Sequence, residues 1–311
     1  GDLMKKIYDS TVIIQGYKKE TLASTGTGFV YKTDNNYGYL LTNQHVVDDV
    51  EEITVVLTND KEVKAEVLGG DDYLDLAVLK IDKSDVLQVA NIGTSENVKI
   101  GDSIFTVGSP MGYDYRGSVT AGILSGKDRM VSVSVSSSSN DWIMRVLQID
   151  ASINPGNSGG PLLNVNGEVI GVCSLKLVDN QIEGMGFAIP IEYAMSHVDS
   201  LEKGEKIEWP VLGINMLNTT DTAMLYRYGI LVDSDIKQGV VVVEPVEGSG
   251  ADKAGLKKGD VIVKINNKKV KDIAYLRYEL YQHQAGDKIQ ITYIRDGKEK
   301  TVEVSLQKSD E

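Results

Sequence analysis

A single serine stands in the run Ile153-Asn154-Pro155-Gly156-Asn157-Ser158-Gly159-Gly160-Pro161-Leu162, among glycines and between two apolar segments. A nucleophilic serine needs such a setting. Glycines leave room for a substrate and let the backbone N–H groups of Gly156 and Ser158 face one point, where an oxyanion would develop. The same residues also suit a plain turn built from Ser, Asn and Gly. A serine hydroxyl is a weak nucleophile until a base takes its proton, so the chemistry depends on a histidine and on an acid to orient it. The chain has three histidines, His45, His197 and His283. His45 closes the strand-like Tyr39-Leu40-Leu41-Thr42, within Thr42-Asn43-Gln44-His45-Val46-Val47, whereas His197 and His283 fall on predicted helices among ordinary polar neighbours. Asp75 directly precedes the apolar Leu76-Ala77-Val78-Leu79, where a carboxylate can be partly buried; taken singly, Asp71, Asp72 and Asp75 serve equally as turn acids.

The elements that must position these residues read as strands. Val12–Ile14, Gly28–Tyr31, Tyr39–Thr42, Ile53–Leu57, Val63–Val67 and Leu76–Ile81 are short apolar or alternating runs separated by Asp, Asn and Gly, the pattern of a barrel or sandwich. A second series covers Ser103–Val107, Ser118–Thr120, Gly122–Leu124, Leu147–Ile149, Pro161–Leu163 and Val169–Leu175. Residues 10–95 and 100–195 thus form two β units of similar size, with a short helix over Leu3–Asp9 ahead of them. Ser132–Asp141 reads as an exposed hairpin or a mobile loop. Ile191, Ala194, Met195, Val198 and Leu201 recur at helical spacing, predicting one helix over 191–206 that runs into a charged linker at 201–210. Beyond Trp209-Pro210, residues 211–308 carry strands, a short helix with a glycine stop before another strand within Gly250–Ile262, and a helix over Asp272–Gln284, a unit of ordinary domain size.

Composition bounds the rest. A chain of 311 residues suits two domains. With 31 glycines and 3 phenylalanines it fits a turn-rich, mostly β protein better than a helical bundle. The net charge of −13 argues against a nucleic-acid partner or an anionic membrane surface. Cys173 is the one cysteine, so no intramolecular disulfide forms; within Val169-Ile170-Gly171-Val172-Cys173 it reads as a small buried hydrophobe. No run approaches the ~18 apolar residues of a membrane span. The start at Gly1-Asp2-Leu3 reads as trimmed, with no signal peptide in view. No metal or cofactor is called for.

The order His45, Asp75, Ser158 places the first two residues in one β unit and the serine in the next, which is the chymotrypsin-like arrangement. The three segments Thr42–Val47, Asp75–Val78 and Gly156–Leu162 resemble the active-site segments of the HtrA family of bacterial serine proteases, and the C-terminal unit resembles a PDZ domain, the partner module of that family. The resemblance covers nearly the whole chain. It implies a chymotrypsin-like double β-barrel protease domain over 1–200 and a small α/β PDZ domain over 211–308. Ser158 is then the nucleophile, His45 the general acid/base and Asp75 the orienter of the imidazole, with Gly156, Asn157 and Ser158 at the oxyanion hole. Where trypsin-like enzymes carry an acid, six residues before the nucleophile, this chain has Ser152. A pocket without charge favours an apolar residue before the cut, and Leu175, Gly184, Met185 and Gly186, in the loop Glu183–Phe187, would border it. The loop Gly126–Asp141 matches the position of the family's regulatory loop. The segment Tyr17–Ser24 is short, which argues against cage assemblies.

Val211-Leu212-Gly213-Ile214 resembles the carboxylate-binding loop of PDZ domains, with Tyr275, Leu276, Glu279 and Leu280 on the opposite wall of the groove. By the resemblance, the expected activity is ATP-independent endoproteolysis of unfolded proteins in extracytoplasmic quality control, regulated by peptide C-termini at the PDZ domain. It also implies a homotrimer and an N-terminal membrane anchor upstream of Gly1. The rival reading, a binding module or chaperone with an inactive protease unit, is disfavoured by the presence of all three catalytic residue types.

Overall fold

The computed structural model of the chain describes residues 1–108, 118–133, 142–177 and 184–309. It divides into two compact units whose boundary along the chain lies between Ile207 and Glu208.

In the first unit a helix, α1 (Asp2–Ser10), leads into β1 (Thr11–Lys18), β2 (Thr21–Thr33), β3 (Tyr37–Thr42), the short helix α2 (Gln44–Val47), β4 (Glu52–Val56), β5 (Glu62–Asp71) and β6 (Leu76–Asp82). The six strands close into an antiparallel barrel in the order β1-β2-β3-β6-β5-β4. Alternation along the strands fills its interior: Val12 and Ile14 of β1, Val30 of β2, Leu40 of β3, Val55 of β4 and Leu79 of β6 form one buried cluster. The segment Tyr17–Ser24 is only the tip of the β1–β2 hairpin. Lys18 pairs with Thr21 across the two-residue turn Lys19-Glu20, both at positive φ.

The second barrel follows a two-residue strand, β7 (Asn91–Ile92). Its strands are β8 (Ser103–Gly108), β9 (Ser118–Val133), β10 (Trp142–Ile149), β11 (Pro161–Leu163), β12 (Glu168–Cys173) and β13 (Gly186–Pro190). They run in the order β11-β8-β9-β10-β13-β12, and a further β11–β12 pairing closes the ring while β7 adds to β12 in parallel. Leu124, Leu147, Ile149, Leu162 and Ile170 fill it, together with Cys173. Burial pushes the Cys173 thiol up to about 12, as expected of an inert core cysteine.

Two expectations change here. Ser118–Thr120 and Gly122–Leu124 belong to one strand, because Gly122 is not a breaker. A side chain there would lie 2.2 Å from Asp150 Oδ1, and that carboxylate instead accepts the Ile123 N–H at 2.7 Å. The predicted helix over 191–206 is two short ones, α3 (Ile191–Met195) and α4 (Val198–Glu202). Ser196 Oγ donates back to Tyr193 O at 2.6 Å, a local bond that competes with helix continuation. Residues 126–133 of the expected regulatory loop lie in β9; the remainder, 134–141, falls outside the described residues.

The second unit opens with β14 (Pro210–Val211), β15 (Ile214–Asn218), helix α5 (Thr222–Arg227) and β16 (Val240–Pro245). Then come α6 (Gly250–Lys253), β17 (Val261–Ile265), β18 (Lys268–Lys269), α7 (Ile273–Leu280), β19 (Lys288–Arg295), β20 (Lys298–Ser305) and β21 (Gln307–Lys308). The main sheet runs β15-β16-β17-β19-β20, with β18 on β17, and β14 pairs with β21 separately. Helix α7 is shorter than predicted, and α6 and α7 are capped as their sequences allow: Ser249 Oγ accepts the Asp252 N–H, and Asp272 Oδ1 accepts the Tyr275 N–H. Helix α5 was not anticipated, since Leu225 is its one buried residue and leaves no apolar stripe to read. Strand β15 is an edge of the sheet, and α7 packs beside it.

Candidate active site and peptide groove

Strand β3 ends at Thr42, which is buried and donates its hydroxyl to Thr27 O of β2 at 2.8 Å. The chain then turns into α2, which places Asn43 and His45 on either side of Gln44 at the barrel mouth. Strand β6 is preceded by the turn 71–75, in which Asp71 Oδ2 accepts the Leu74 N–H at 2.8 Å. Asp71 is therefore the turn acid of this segment. Asp75, fully buried and at φ +53°, is directed to the histidine.

The Asp75 carboxylate meets three donors. Its Oδ2 lies 2.8 Å from His45 Nδ1 and accepts Ser174 Oγ at 2.9 Å, while its Oδ1 accepts the His45 backbone N–H at 3.0 Å and lies 3.1 Å from Nδ1. A carboxylate oxygen accepts, so Nδ1 carries the proton and Nε2 is left as the basic nitrogen. The imidazole side chain is 35% exposed while the carboxylate beneath it is sealed. Burial beneath the ring and donors on both oxygens hold the imidazole in one tautomer and orientation.

Ser158 comes from the loop between β10 and β11. That loop is pinned on both sides: Thr27 N donates to Ser158 O at 3.0 Å, Gly159 N to Cys173 O at 2.8 Å, and Thr27 Oγ1 to Gly156 O at 2.5 Å. Gly159 is at φ +88°, and a Cβ there would sit 2.4 Å from Thr27 O, so this position requires glycine. The Ser158 side chain is buried and has two hydrogen-bond partners among the described residues. Its Oγ donates to Asn43 Oδ1 at 2.6 Å and accepts from Leu175 N at 3.3 Å. The backbone N–H groups at this loop are turned inward: Gly156 N donates to Asn154 Oδ1 at 2.9 Å and Ser158 N to Asn154 O at 2.9 Å. Asn157 spans the loop, its Oδ1 accepting Asn154 N at 2.8 Å and its Nδ2 donating to Ser152 O at 3.0 Å.

Of the residues expected at the substrate pocket, Leu175 and Gly186 adjoin this loop. Ser152 is exposed, Leu175 is half-buried beside Ser158, and Gly184 is exposed at φ +78°. Met185 is half-buried, and Gly186 opens β13, where a Cβ would meet Ala151 O at 2.6 Å and Ile153 Cγ1 at 2.8 Å. Glu183 lies outside the described residues. The other histidines stand elsewhere: His197 packs edge-on against Tyr193 with ring centroids 5.3 Å apart, and His283 Nδ1 lies 3.8 Å from Asp287. Asn43, Ser174, Thr27 and Asn154 were not foreseen as parts of the site. Asn43 lies inside the segment Thr42–Val47 and Ser174 stands next to Leu175, which was the available signal.

In the second unit, Val211-Leu212-Gly213-Ile214 lines a groove of about 460 Å³ together with Leu276, Leu280, Tyr281 and Trp209. Gly213 has φ +83°, and a Cβ there would lie 2.3 Å from Ser249 Cβ. Leu212 O accepts Ala251 N at 3.1 Å, and Gly213 O accepts Val246 N at 2.8 Å and Ser249 Oγ at 3.0 Å. In a planar trans peptide the N–H opposes the C=O, so the N–H groups of Gly213 and Ile214 point away from these partners. Tyr275 and Glu279, expected on the groove wall, are occupied otherwise: Lys271 Nζ lies over the Tyr275 ring at 5.4 Å, and Glu279 pairs with Lys268 at 3.6 Å. They follow from helical phase, since Leu276 and Leu280 share the face turned to β15.

Comparison with known proteins agrees with this organisation. Residues 26–172 match the trypsin-like peptidase domain family, and residues 210–306 match the PDZ domain family. The chain is 38% identical over 296 residues to the serine protease Do-like HtrA of Bacillus subtilis, covering 94% of this chain and 66% of that protein. It is 41% identical to the protein of the same description from Lactobacillus helveticus, covering 91% and 68%. It is 36% identical to that of Lactococcus lactis subsp. lactis, covering 98% and 82%. The chain thus spans about two thirds of the length of the first two relatives and 82% of the third. Among solved structures, the serine endoprotease from Yersinia pestis superposes with a TM-score of 0.72 at 28% identity, covering 99% of this chain and 97% of that one. The HtrA-type protease AlgW with a decapeptide gives 0.73 at 25% identity, covering 99% and 98%. The chain belongs to the Do-like HtrA family of serine endopeptidases, built as a trypsin-like peptidase domain followed by one PDZ domain.

Proposed function

We propose that this chain hydrolyses peptide bonds in unfolded proteins without ATP, with Ser158 as nucleophile, His45 as general base and then acid, and Asp75 as the group that orients the imidazole. The observation that carries this is the sealed Asp75 carboxylate on His45 Nδ1 at 2.8 Å, which leaves Nε2 as the base. In the reaction His45 takes the Ser158 proton as Oγ attacks the carbonyl, then returns it to the leaving amine. The N–H groups of Gly156 and Ser158, on either side of Asn157, stabilise the tetrahedral oxyanion once Asn154 releases them. Ser152, Leu175, Gly184, Met185 and Gly186 border an uncharged pocket for a small or medium aliphatic side chain. The domain limits proposed from sequence, 1–200 for the protease and 211–308 for the PDZ domain, frame the same reading.

The loop Val211–Ile214 receives the C-terminal carboxylate of a peptide, and the edge strand β15 pairs with the peptide backbone. Gly213 and Ile214 supply converging N–H groups, and the apolar Leu212, Leu276 and Leu280 suit an apolar last residue. Occupancy of this groove regulates proteolysis. The setting proposed is protein quality control outside the cytoplasm, by a homotrimer. Among the described residues no helix is long and apolar enough to cross a membrane.

Digestion of casein by the wild type beside Ser158→Ala tests the enzymatic reading. The wild type is expected to fragment casein and Ser158→Ala to leave it intact. Equal digestion by both would overturn it.

A further inference from the structure

We propose that Asn43 is a positioning residue whose side-chain carbonyl holds the Ser158 hydroxyl away from His45, so that the serine proton must change acceptor before Ser158 can attack a carbonyl. The inference rests on the peptidase reading above and adds a resting clamp to it.

Asn43 is fully buried at the start of α2, a position where asparagine ordinarily caps the helix with its side chain. It makes no such cap. Its amide is spent on two residues of the site, Asp75 and Ser158. Nδ2 donates to Asp75 O at 3.0 Å, and Oδ1 accepts Ser158 Oγ at 2.6 Å. The first bond fixes the second, because a backbone carbonyl only accepts, so the nitrogen of the amide faces Asp75 and the oxygen faces Ser158. A hydroxyl has one proton to give. While that proton is on Asn43 Oδ1 it is not available to His45 Nε2, and Leu175 N–H occupies a lone pair of the same oxygen at 3.3 Å. All hydrogen bonds of Ser158 Oγ among the described residues are accounted for in this way, and none is to His45. The clamp joins the acid of the first barrel, by its backbone, to the serine of the second. Attack therefore requires the Oγ–H to leave Asn43 and turn to the imidazole.

A fluorophosphonate probe reads this step directly. The Ser158 Oγ–P bond forms, the P–F bond breaks, fluoride leaves and the hydroxyl proton passes to His45. Asn43→Ala removes the competing acceptor, so the second-order labelling rate at the pH plateau is expected to rise about 2- to 10-fold, the population change set by one neutral hydrogen bond. A residue of merely structural value would give a slower rate on removal. A folded Asn43→Ala labelled no faster than wild type would overturn the clamp while leaving the peptidase reading intact. Absence of labelling in both proteins, with no casein cleavage, would overturn both.

A second arm decides the matter where Asn43→Ala does not fold. Ser158→Ala in the wild-type background leaves Asn43 Oδ1 buried without its donor, and the protease unfolding midpoint is expected to fall by about 2–4 °C. An unchanged or raised midpoint would overturn the clamp.

Discussion

Ser174 Oγ donates to the same carboxylate oxygen of Asp75, Oδ2, that faces His45 Nδ1, at 2.9 and 2.8 Å. The acid is thus held by a hydroxyl that is itself fully buried. Asp75→Asn places an amide where the imidazole needs an acceptor and favours the wrong tautomer. Its expected effect is a loss of about 10⁴ in kcat with the fold retained, the loss this change causes in Ser-His-Asp sites. Casein turnover within tenfold of wild type in a folded Asp75→Asn protein would refute the assignment. Ser174→Ala removes one of three donors and is expected to cost far less, about tenfold in kcat with KM unchanged, as a second-order effect on the orienting acid.

The strands that carry this site were legible because alternation of apolar and polar residues is a local property. Leu40 and Leu79 face one barrel and Leu147 and Leu162 the other without any knowledge of partners. The residues proposed for the triad were legible as candidates because each sits in a distinctive short segment. What the chain did not disclose is which atom each polar group would choose. Asn43 and Ser158 are 115 positions apart, and Ser174 and Asp75 are 99 apart. No periodicity links such pairs; only barrel closure does. The inward turn of the Gly156 and Ser158 N–H groups was invisible for the same reason, since Asn154 competes for them through geometry that residue type leaves open. The split of α3 from α4 shows the converse: a helical spacing of apolar residues persists across a break although α3 packs on β12 and β13 and α4 on β5 and β6.

The cleavage preference we propose follows from Ser152. The loop floor carries an exposed hydroxyl six residues before Ser158, and neither Met185 nor Gly186 introduces charge. A lysine or arginine before the cut would find no carboxylate from these residues to offset its desolvation. Fragments of casein mapped by mass spectrometry are expected to end mostly in Val, Ala, Ile or Leu. Predominance of Lys or Arg at the new C-termini would remove this pocket assignment.

His197 gives the protease unit an acid-sensitive point. Burial against Tyr193 lowers its pKa below the ordinary 6.5. The folded state therefore binds this proton less readily than the unfolded chain, so protonation favours unfolding. Stability from this residue is full above pH ~6.5 and falls as pH drops through that value towards the lowered folded one. Chemical denaturation of the wild type and of His197→Gln at pH 7.5 and 5.5 measures it. The wild type is expected to lose more stability between the two pH values than the variant does. Equal losses would show that His197 takes no part in acid sensitivity.

The PDZ groove makes the last prediction. Leu212 O and Gly213 O are both turned to the α6 side, where Ala251 N, Val246 N and Ser249 Oγ hold them. The Gly213 and Ile214 N–H groups therefore face away, towards the groove that Leu276 and Leu280 line. Two such donors suit an anion, so a peptide with a free, apolar C-terminal residue is expected to bind, and amidation is expected to weaken it about 10-fold or more by removing a charge-assisted pair of hydrogen bonds. Gly213→Ala is expected to weaken it as well. The position has φ +83° and a side chain would meet Ser249 Cβ at 2.3 Å, so the loop must shift and carry its N–H groups with it. Calorimetric titration with free-acid and amidated forms of one peptide, against wild type and Gly213→Ala, measures both effects. Equal affinity for the two forms would rule the loop out as a carboxylate receptor. A Gly213→Ala protein that still distinguished them as wild type does would place the receptor elsewhere in the groove.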